Sequence, residues 1–214
     1  MEVEILGSTS KAYDLSYPLN DQTIFWPGGE GFSLCIQCSL DPVTQEFYAA
    51  GTIKCAEHGG THVDAPYHFS QHGITVDQIT LNDLIAYCHV IDITSKCINN
   101  SDYQLQPDDI LLHESKYGNI GPGNIVLIHT GWYSKYILGT KAYLGYDESV
   151  DGPYDLSTSN LSFPGIGVDA AQLLVQRHIA AVGLDTGWHH SLMHIYQTLR
   201  SIHYSYVYVS VYVY

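Results

Sequence analysis

Apolar and polar residues alternate along several short segments of this chain, and a period of two is the pattern of a half-buried β-strand. The segment 32–40, which reads Phe-Ser-Leu-Cys-Ile-Gln-Cys-Ser-Leu, shows the alternation most plainly. Other short apolar runs also predict strands. The predicted strands are 32–40, 47–57, 58–69, 88–93, 124–129 and 179–184. A β-sheet is therefore expected to form a large part of the fold.

Two helices are predicted from the residues at their ends. Thr80 can cap a helix over 81–88, because Asp83 then stands at N3, where a carboxylate suits the positive end of the helix. Pro107 can open a second helix that ends near Gly118.

A third helix is predicted over 168–178 from the spacing of its core-facing residues. Its predicted inner face consists of Ala171, Leu174, Val175 and His178. The second and third helices each precede a short apolar strand. The sequence therefore predicts an α/β fold, a single compact domain with a mixed β-sheet and flanking helices. The segments 118–123 and 139–153 are predicted loops, the second a polar surface insertion.

Charge and composition argue against several kinds of partner. The chain has 8 Lys and Arg against 22 Asp and Glu, a formal net charge of −14, which disfavours binding to nucleic acid or an anionic membrane. No stretch reaches the ~18–20 apolar residues of a membrane helix, and the opening Met-Glu-Val-Glu-Ile lacks the features of a signal peptide. Five cysteines, an odd number, favour a reducing cytoplasm. Cys35 and Cys38 are expected as small buried residues of a strand.

The segment 58–69 contains most of the candidate chemistry. His58, His62, Asp64 and His68 share one parity, so an extended segment would project all of them to one side, with Gly60 leaving room. Imidazoles and a carboxylate are a standard ligand set for Zn²⁺, Mn²⁺ or Fe²⁺. The pattern indicates a metal hydrolase site. The alternative is a set of packed or solvated histidines. A His-Glu-x-x-His zinc motif is excluded, because Gly59 follows His58.

The chain resembles the cyclase-like metal-dependent hydrolases, the family of bacterial kynurenine formamidase and isatin hydrolase. Residues 58–69 reproduce the family pattern His-x-Gly-Thr-His-x-Asp-x-Pro-x-His-Phe throughout. Further similar segments are Asp-Leu-Ser-Tyr-Pro-Leu at 14–19, Trp-Pro-Gly-Gly at 26–29, Val-Leu-Ile-His-Thr-Gly-Trp at 126–132, Phe-Pro-Gly at 163–165 and Val-Gly-Leu-Asp-Thr at 182–186. The resemblance extends from about residue 12 to residue 186.

This resemblance implies roles for particular residues. His58, His62 and Asp64 match the family's metal ligands, for one or two ions of Zn²⁺ or Mn²⁺, and His68 matches its acid/base histidine. Trp26 matches a position associated with substrate contact, although a simple core tryptophan is an equal alternative. The implied fold is of the swivelling β/β/α type. The implied substrate is a small molecule, an arylformamide such as N-formylkynurenine of tryptophan catabolism or a cyclic amide, and the implied assembly is a homo-oligomer.

The segment 187–214 departs from the family pattern. Family members have a later histidine and glutamate that complete the metal shell, but no glutamate follows Glu148 here, and the sequence ends in a Tyr/Val repeat. We therefore divide the chain into a hydrolase domain over 1–186 and an atypical low-complexity tail over 187–214. Two hypotheses remain: a working amide hydrolase, or a non-catalytic metal-binding relative that lost part of its site. A serine hydrolase is disfavoured, because no Gly-x-Ser-x-Gly elbow occurs.

Overall fold

A computed structural model describes residues 2–5, 8–11, 14–155, 161–187 and 207–210. Its strands are β1 (Glu2–Ile5), β2 (Ser8–Lys11), β3 (Ser33–Leu40), β4 (Phe47–Lys54), β5 (His62–Asp64), β6 (Cys88–Asp92), β7 (Gln104–Leu105), β8 (Ile125–His129), β9 (Gly165–Ile166), β10 (Ala181–Leu184) and β11 (Val207–Ser210). Its α-helices are α1 (Leu81–Leu84), α2 (Thr94–Cys97), α3 (Pro107–Tyr117), α4 (Thr140–Leu144), α5 (Glu148–Asp151) and α6 (Val168–Gln176). Single 3₁₀ segments occupy Pro66–His68, Val76–Gln78 and Trp132–Leu138.

The main sheet has five strands in the order β5-β11-β10-β8-β6. β11, β10, β8 and β6 run parallel, and β5 pairs antiparallel with β11 at the other edge. Smaller two-stranded sheets join β1 to β2, β3 to β4 and β7 to β9. The predicted α/β class with a mixed sheet is confirmed.

The principal core lies where α3 and α6 pack beside the sheet. Its buried residues include Ile91, Val126, Ile128 and Leu184 from the strands, Ile110 from α3, and Ala170, Ala171, Leu174 and Val175 from α6. Arg177, just beyond α6, reaches Glu114 on α3 through two hydrogen bonds of 3.0 Å. A planar guanidinium and a carboxylate in this paired geometry fix the two helices relative to each other.

A second, aromatic core occupies the region for which the sequence predicted a surface loop. Tyr143, Leu144 and Tyr146 are buried, together with Trp132 and Phe163. The prediction of a polar insertion over 139–153 is wrong for its first half, because α4 and the turn after it place Tyr143, Leu144 and Tyr146 inside. The second half is polar as predicted, since α5 has no buried residue.

The two longer predicted helices are confirmed, and the first is shorter than predicted. Asp83 accepts hydrogen bonds from the backbone N–H and the hydroxyl of Thr80, at 3.2 and 2.8 Å, so the predicted cap is present. The helix nevertheless ends at Leu84, because Ile85 is extended and Cys88 already pairs in the sheet. His178 is also outside its predicted helical face: it is exposed, with φ of 54°, beyond the end of α6.

The strands β3 and β4 form a hairpin whose residues are all exposed. The expectation that Cys35 and Cys38 are buried is therefore wrong, because no described element covers either face of this hairpin. Among the described residues, no helix is long and apolar enough to cross a membrane.

Candidate metal centre

Two loop segments, 24–26 and 58–60, hold each other in the geometry of a short antiparallel bridge. The N–H of Gly60 donates to the carbonyl of Ile24 at 2.9 Å, and the N–H of Trp26 donates to the carbonyl of His58 at 3.2 Å. Phe25 and Gly59 form the bridge pair between them. The segment 24–26 thus has a backbone role, since it fixes the chain on both sides of Gly59.

Asp64 is the carboxylate on which the histidines converge. It lies on β5 and is only 3% exposed. His58 Nδ1 lies 2.8 Å from Asp64 Oδ1, and His62 Nε2 lies 3.4 Å from the same oxygen. His62 Nδ1 lies 2.9 Å from the carbonyl oxygen of Gly60 and donates to it, which leaves Nε2 as the nitrogen that faces Asp64. The end of β5 thus presents a carboxylate that two preceding imidazoles contact.

His68 reaches the same place from a different element. It ends the 3₁₀ turn Pro66–His68, which starts directly after β5. Its ring centroid lies 3.9 Å from that of His58, and its side chain is exposed to solvent. Ligating atoms of His58, Asp64 and His68 all lie within 4.8 Å of one another.

The charges of the cluster favour an ionised Asp64. Burial acts to raise the pKa of Asp64, but hydrogen bonds from His58 and His62 outweigh it and hold the pKa well below its usual range. Burial also acts to lower the pKa of His62, yet the hydrogen bond and charge of Asp64 raise it overall. The part of the His68 ring that lies against His58 and Phe69 is desolvated, which lowers the pKa of His68 against the opposing attraction of Asp64. His68 is therefore mostly neutral near pH 7 and able to accept a proton.

The structure brings the predicted residues together by a path that differs from the predicted strand. Only His62–Asp64 is β-strand, whereas His58 lies in the bridged loop and His68 in the 3₁₀ turn. Gly60 has a φ of +57°, a left-handed conformation that breaks an extended segment. The expected single extended face is therefore wrong, although its members do converge.

This donor set fits a divalent cation. Two or three imidazoles with an ionised, buried carboxylate are the ligands that Zn²⁺ and Mn²⁺ accept in proteins, and a buried carboxylate is normally paired or metal-bound. The division of the histidines into ligands and acid/base group stays a prediction.

The surroundings of Trp26 fit both of the roles that the sequence left open, a core tryptophan and a residue in contact with substrate. Its ring meets Tyr154 edge-on at 5.7 Å and packs against the aromatic core. It also lines a cavity of about 630 Å³ together with Phe25 and Tyr146. A role in substrate binding therefore stays a prediction.

Asp185 is a buried carboxylate that was not among the predicted site residues. It accepts hydrogen bonds from the N–H and the hydroxyl of Thr130, at 2.9 and 2.6 Å, and from the N–H of Gly131 at 2.9 Å. These bonds fasten the turn after β8 to the end of β10. The available signal was a charged residue directly after a buried apolar strand, Ala181–Leu184.

The mixed sheet, with histidines and a buried carboxylate gathered at its β5 edge, defines an α/β protein with a candidate divalent-metal centre. The family model Cyclase, described as "Putative cyclase", matches residues 13–188. This chain belongs to the cyclase family, as its motifs predicted.

Two relatives illustrate the similarity in sequence. An isatin hydrolase of Roseibium aggregatum is 32% identical over 151 residues, which cover 66% of this chain and 53% of that protein. A kynurenine formamidase of Bacillus cytotoxicus is 31% identical over 86 residues, which cover 40% of each. The chain thus spans about half the length of the curated relatives it matches, or less.

Solved structures share the fold. Isatin hydrolase A from Labrenzia aggregata, bound to benzyl benzoate, has a TM-score of 0.71 at 24% identity, over 92% of this chain and 80% of that chain. A protein described as a novel cyclase has a TM-score of 0.66 at 16% identity, over 95% of this chain and 75% of that chain. At these identities the likeness supports the architecture alone.

Proposed function

We propose that this chain is a metal-dependent hydrolase of the C–N bond of an arylformamide, such as N-formylkynurenine, or of a cyclic amide such as isatin. The observation that carries the proposal is the buried Asp64 carboxylate with imidazoles in contact and the solvent-exposed His68 beside them. The names of the two relatives, isatin hydrolase and kynurenine formamidase, supply the substrate class.

Within this proposal, His58, His62 and Asp64 would hold the cation, Zn²⁺ or Mn²⁺. When bound, such a cation supplies Lewis acidity, which lowers the pKa of water and polarises a carbonyl oxygen. Asp64 contributes the negative charge, and the hydrogen bond between His62 Nδ1 and Gly60 fixes the orientation of that ring. This hydrogen bond holds the His62 ring in one rotamer, so its Nε2 is already in position before a cation binds.

His68 has the proton-transfer role in this scheme. Its ring is exposed, so it can meet both water and a substrate nitrogen. One ring nitrogen takes the proton of the attacking water, and the same nitrogen delivers it to the leaving amine, so His68 is neutral again at the end of the reaction.

The proposed place of action is the cytoplasm, with which the five free cysteines are compatible.

A second candidate function is metal binding without catalysis. It is favoured by one sequence observation: no glutamate follows Glu148, whereas the resemblance implies a late glutamate in the metal shell. Both candidate functions predict bound metal, but only the first predicts turnover of a substrate.

The test combines metal analysis with hydrolysis of N-formylkynurenine and isatin by the full chain. We expect near-stoichiometric metal, and an Asp64→Ala variant that loses metal together with more than about 100-fold in kcat/KM. His68→Gln should keep its metal and lose about 10²–10⁴ in kcat.

The matched control is His72→Ala, an exposed histidine of the same loop region that has no place in the cluster. It should change neither metal content nor turnover. Bound metal without turnover on either substrate would select the second candidate, and full activity in Asp64→Ala would refute both.

A further inference from the structure

Tyr136 belongs to the aromatic core, but its hydroxyl oxygen contacts the backbone beside the candidate metal centre. The residue is 8% exposed and lies in the 3₁₀ segment Trp132–Leu138. The N–H of Ile24, 112 positions earlier in the chain, donates to the Tyr136 oxygen at 3.1 Å. Ile24 is buried, and a buried backbone N–H without an acceptor is strongly disfavoured. The Tyr136 hydroxyl therefore fixes where Ile24 lies.

Ile24 connects Tyr136 to the candidate ligand His62. The carbonyl of Ile24 accepts the N–H of Gly60 at 2.9 Å. The carbonyl of Gly60 in turn accepts the Nδ1–H of His62, with 2.9 Å between nitrogen and oxygen. Three successive hydrogen bonds thus join the Tyr136 hydroxyl to the ring whose Nε2 lies 3.4 Å from Asp64. We call the set Tyr136, Ile24, Gly60 and His62 the brace.

The ring of Tyr136 supports the same loop by a second route. Tyr17 stacks on it, with ring centroids 4.1 Å apart and planes 13° from parallel. The backbone N–H of Tyr17 donates to the hydroxyl of Thr61 at 3.1 Å. The hydroxyl and the ring of Tyr136 thus act on Gly60 and Thr61, the two residues that directly precede His62.

The segment that contains Tyr136 is itself anchored to the main sheet. Asp185, which is fully buried at the end of β10, accepts the N–H groups of Thr130 and Gly131 at 2.9 Å each. Gly131 directly precedes the 3₁₀ segment. The indole N–H of Trp132 donates to the carbonyl of Tyr143 at 2.8 Å. A firm support of this kind matters, because a group can hold a ligand in place only as precisely as it is held itself.

We propose that Tyr136 is a positioning residue of the candidate metal centre, which sets the rotamer and the tautomer of His62 through Ile24 and Gly60. The use of that ring as a ligand rests on the proposed function, whereas the brace is already present in the metal-free chain. A histidine that binds metal normally donates its other N–H to a fixed acceptor, and loss of that acceptor typically weakens metal binding about 10–100-fold. Here the acceptor is the Gly60 carbonyl, and Tyr136 keeps it in place.

The first experiment compares Zn²⁺ affinity, by competition with a chelator, in the full chain and in two variants. Tyr136→Phe keeps the ring and its stacking and removes only the hydroxyl, so affinity should fall about tenfold. The matched control is Tyr103→Phe, which removes a hydroxyl that donates to Asp109 at 2.8 Å beside the other core. It should leave the affinity unchanged. Equal losses in the two variants, or an unchanged affinity in Tyr136→Phe, overturn the proposal.

The second experiment examines the His62 ring in the chain from which metal has been removed. Long-range ¹H–¹⁵N NMR at a pH where the imidazoles are neutral should show the proton on Nδ1 in the wild type and in Tyr103→Phe. In Tyr136→Phe it should show a mixture of the two tautomers, because the Gly60 carbonyl is no longer held. A general loss of stability does not change a tautomer, so a pure Nδ1–H form in Tyr136→Phe would contradict the proposal.

The third experiment needs no substitution, so a folding defect cannot obscure it. Coupling between two sites is reciprocal, and Zn²⁺ should therefore tighten the brace in the wild type. Amide hydrogen exchange of Ile24 and Gly60 should slow by up to about tenfold when Zn²⁺ is added. The amide of Gln45, which donates to Asp41 in the β3–β4 turn, should keep its rate.

Two further outcomes separate this inference from the proposed function. Zn²⁺ that binds without slowing exchange at Ile24 and Gly60 would overturn the inference and leave the metal centre standing. A wild type that binds no Zn²⁺ would refute the proposed function instead. The tautomer of His62 in the metal-free chain would then decide alone whether Tyr136 positions that ring.

Discussion

At the scale of single residues, the candidate centre depends on two adjacent glycines with different tasks. Gly60 adopts a φ of +57° and offers its carbonyl to His62. Gly59 is opposite Phe25 in the bridge, so close that an added Cβ would overlap the phenyl ring. Gly60 provides the turn, and Gly59 leaves space for the Phe25 ring. Neither task requires a side chain, but both determine where the histidines lie.

We expect Gly59→Ala to displace the Phe25 ring or open the bridge, and so to move His58. The free energy of unfolding should fall by about 1–3 kcal/mol, the usual cost of overpacking, and metal affinity should fall with it. Thermal denaturation and metal titration would check this. Gly31→Ala is the matched control, because its added Cβ meets no atom within 4 Å. Equal effects of the two substitutions would contradict the steric argument.

The residues that gather at the candidate centre could be predicted from the sequence, but the backbone conformation that brings them together could not. The spacing of His58, His62, Asp64 and His68 identified the set, because ligand types recur within a short segment. The shared-parity argument assumed a continuous strand, and the turn at Gly60 depends on the distant segment 24–26. Asp185 also escaped, since its partners lie about 55 positions away in the chain.

At the scale of elements, β6 and α3 meet through a pair of histidines. His89 on β6 and His113 on α3 are both buried, with Nδ1 of the first 3.1 Å from Nε2 of the second. One ring nitrogen can donate to the other only while at least one of the two rings is neutral. Burial lowers the pKa of His113, and the neighbouring His89 adds to the shift against the opposing charge of Glu114.

This lowered pKa predicts a dependence of stability on pH. The folded state keeps His113 neutral at a pH where the unfolded chain already binds a proton, so stability is complete above the unfolded pKa of ~6.5 and declines as pH falls below it. His113→Gln should therefore lose less free energy of unfolding between pH 7.5 and 5 than the wild type does. Denaturant titrations at both values would measure the difference, and His72→Gln should match the wild type.

Elements with strong end signals were predictable, and those set by distant pairing were not. Pro107 and the apolar spacing of Ala171, Leu174 and Val175 located α3 and α6 within a residue or two. The first helix was predicted too long, because sheet pairing from Cys88 onward prevails over the helical preference of its neighbours. The region 139–153 was misjudged because its buried tyrosines have polar tips, and composition alone makes them look like surface residues.

At the scale of the whole molecule, the metal strand depends on a late strand. β5 joins the main sheet through β11, where Val63 pairs with Val209 and Asp64 with Tyr208. β11 in turn pairs with β10 on its other side. The strand that bears His62 and Asp64 is therefore held in register by residues 207–210, within the segment that the sequence separated as a tail.

Val209→Pro should consequently disrupt the centre without touching a candidate ligand. Proline has no N–H to donate to the ladder of a strand that has neighbours on both sides, and a buried acceptor left unpaired costs about 1–3 kcal/mol. Metal content should fall together with the melting temperature, whereas Val209→Thr, which keeps the N–H and the branched side chain, should retain both. Undiminished metal binding in the proline variant would show that β5 holds its place independently.

The position of β11 also sets an order of events during synthesis. His62 and Asp64 leave the ribosome more than a hundred residues before Ser210 and Tyr208, their register partners in the sheet. At 5–20 residues per second, this interval is on the order of 10 s. Throughout it, β5 has no strand partner from the described chain, and the bridge between 24–26 and 58–60 is the contact that can already hold His58. The centre is therefore completed only after β11 has been synthesised, and a nascent chain that captures a cation earlier would do so while β5 is still unpaired.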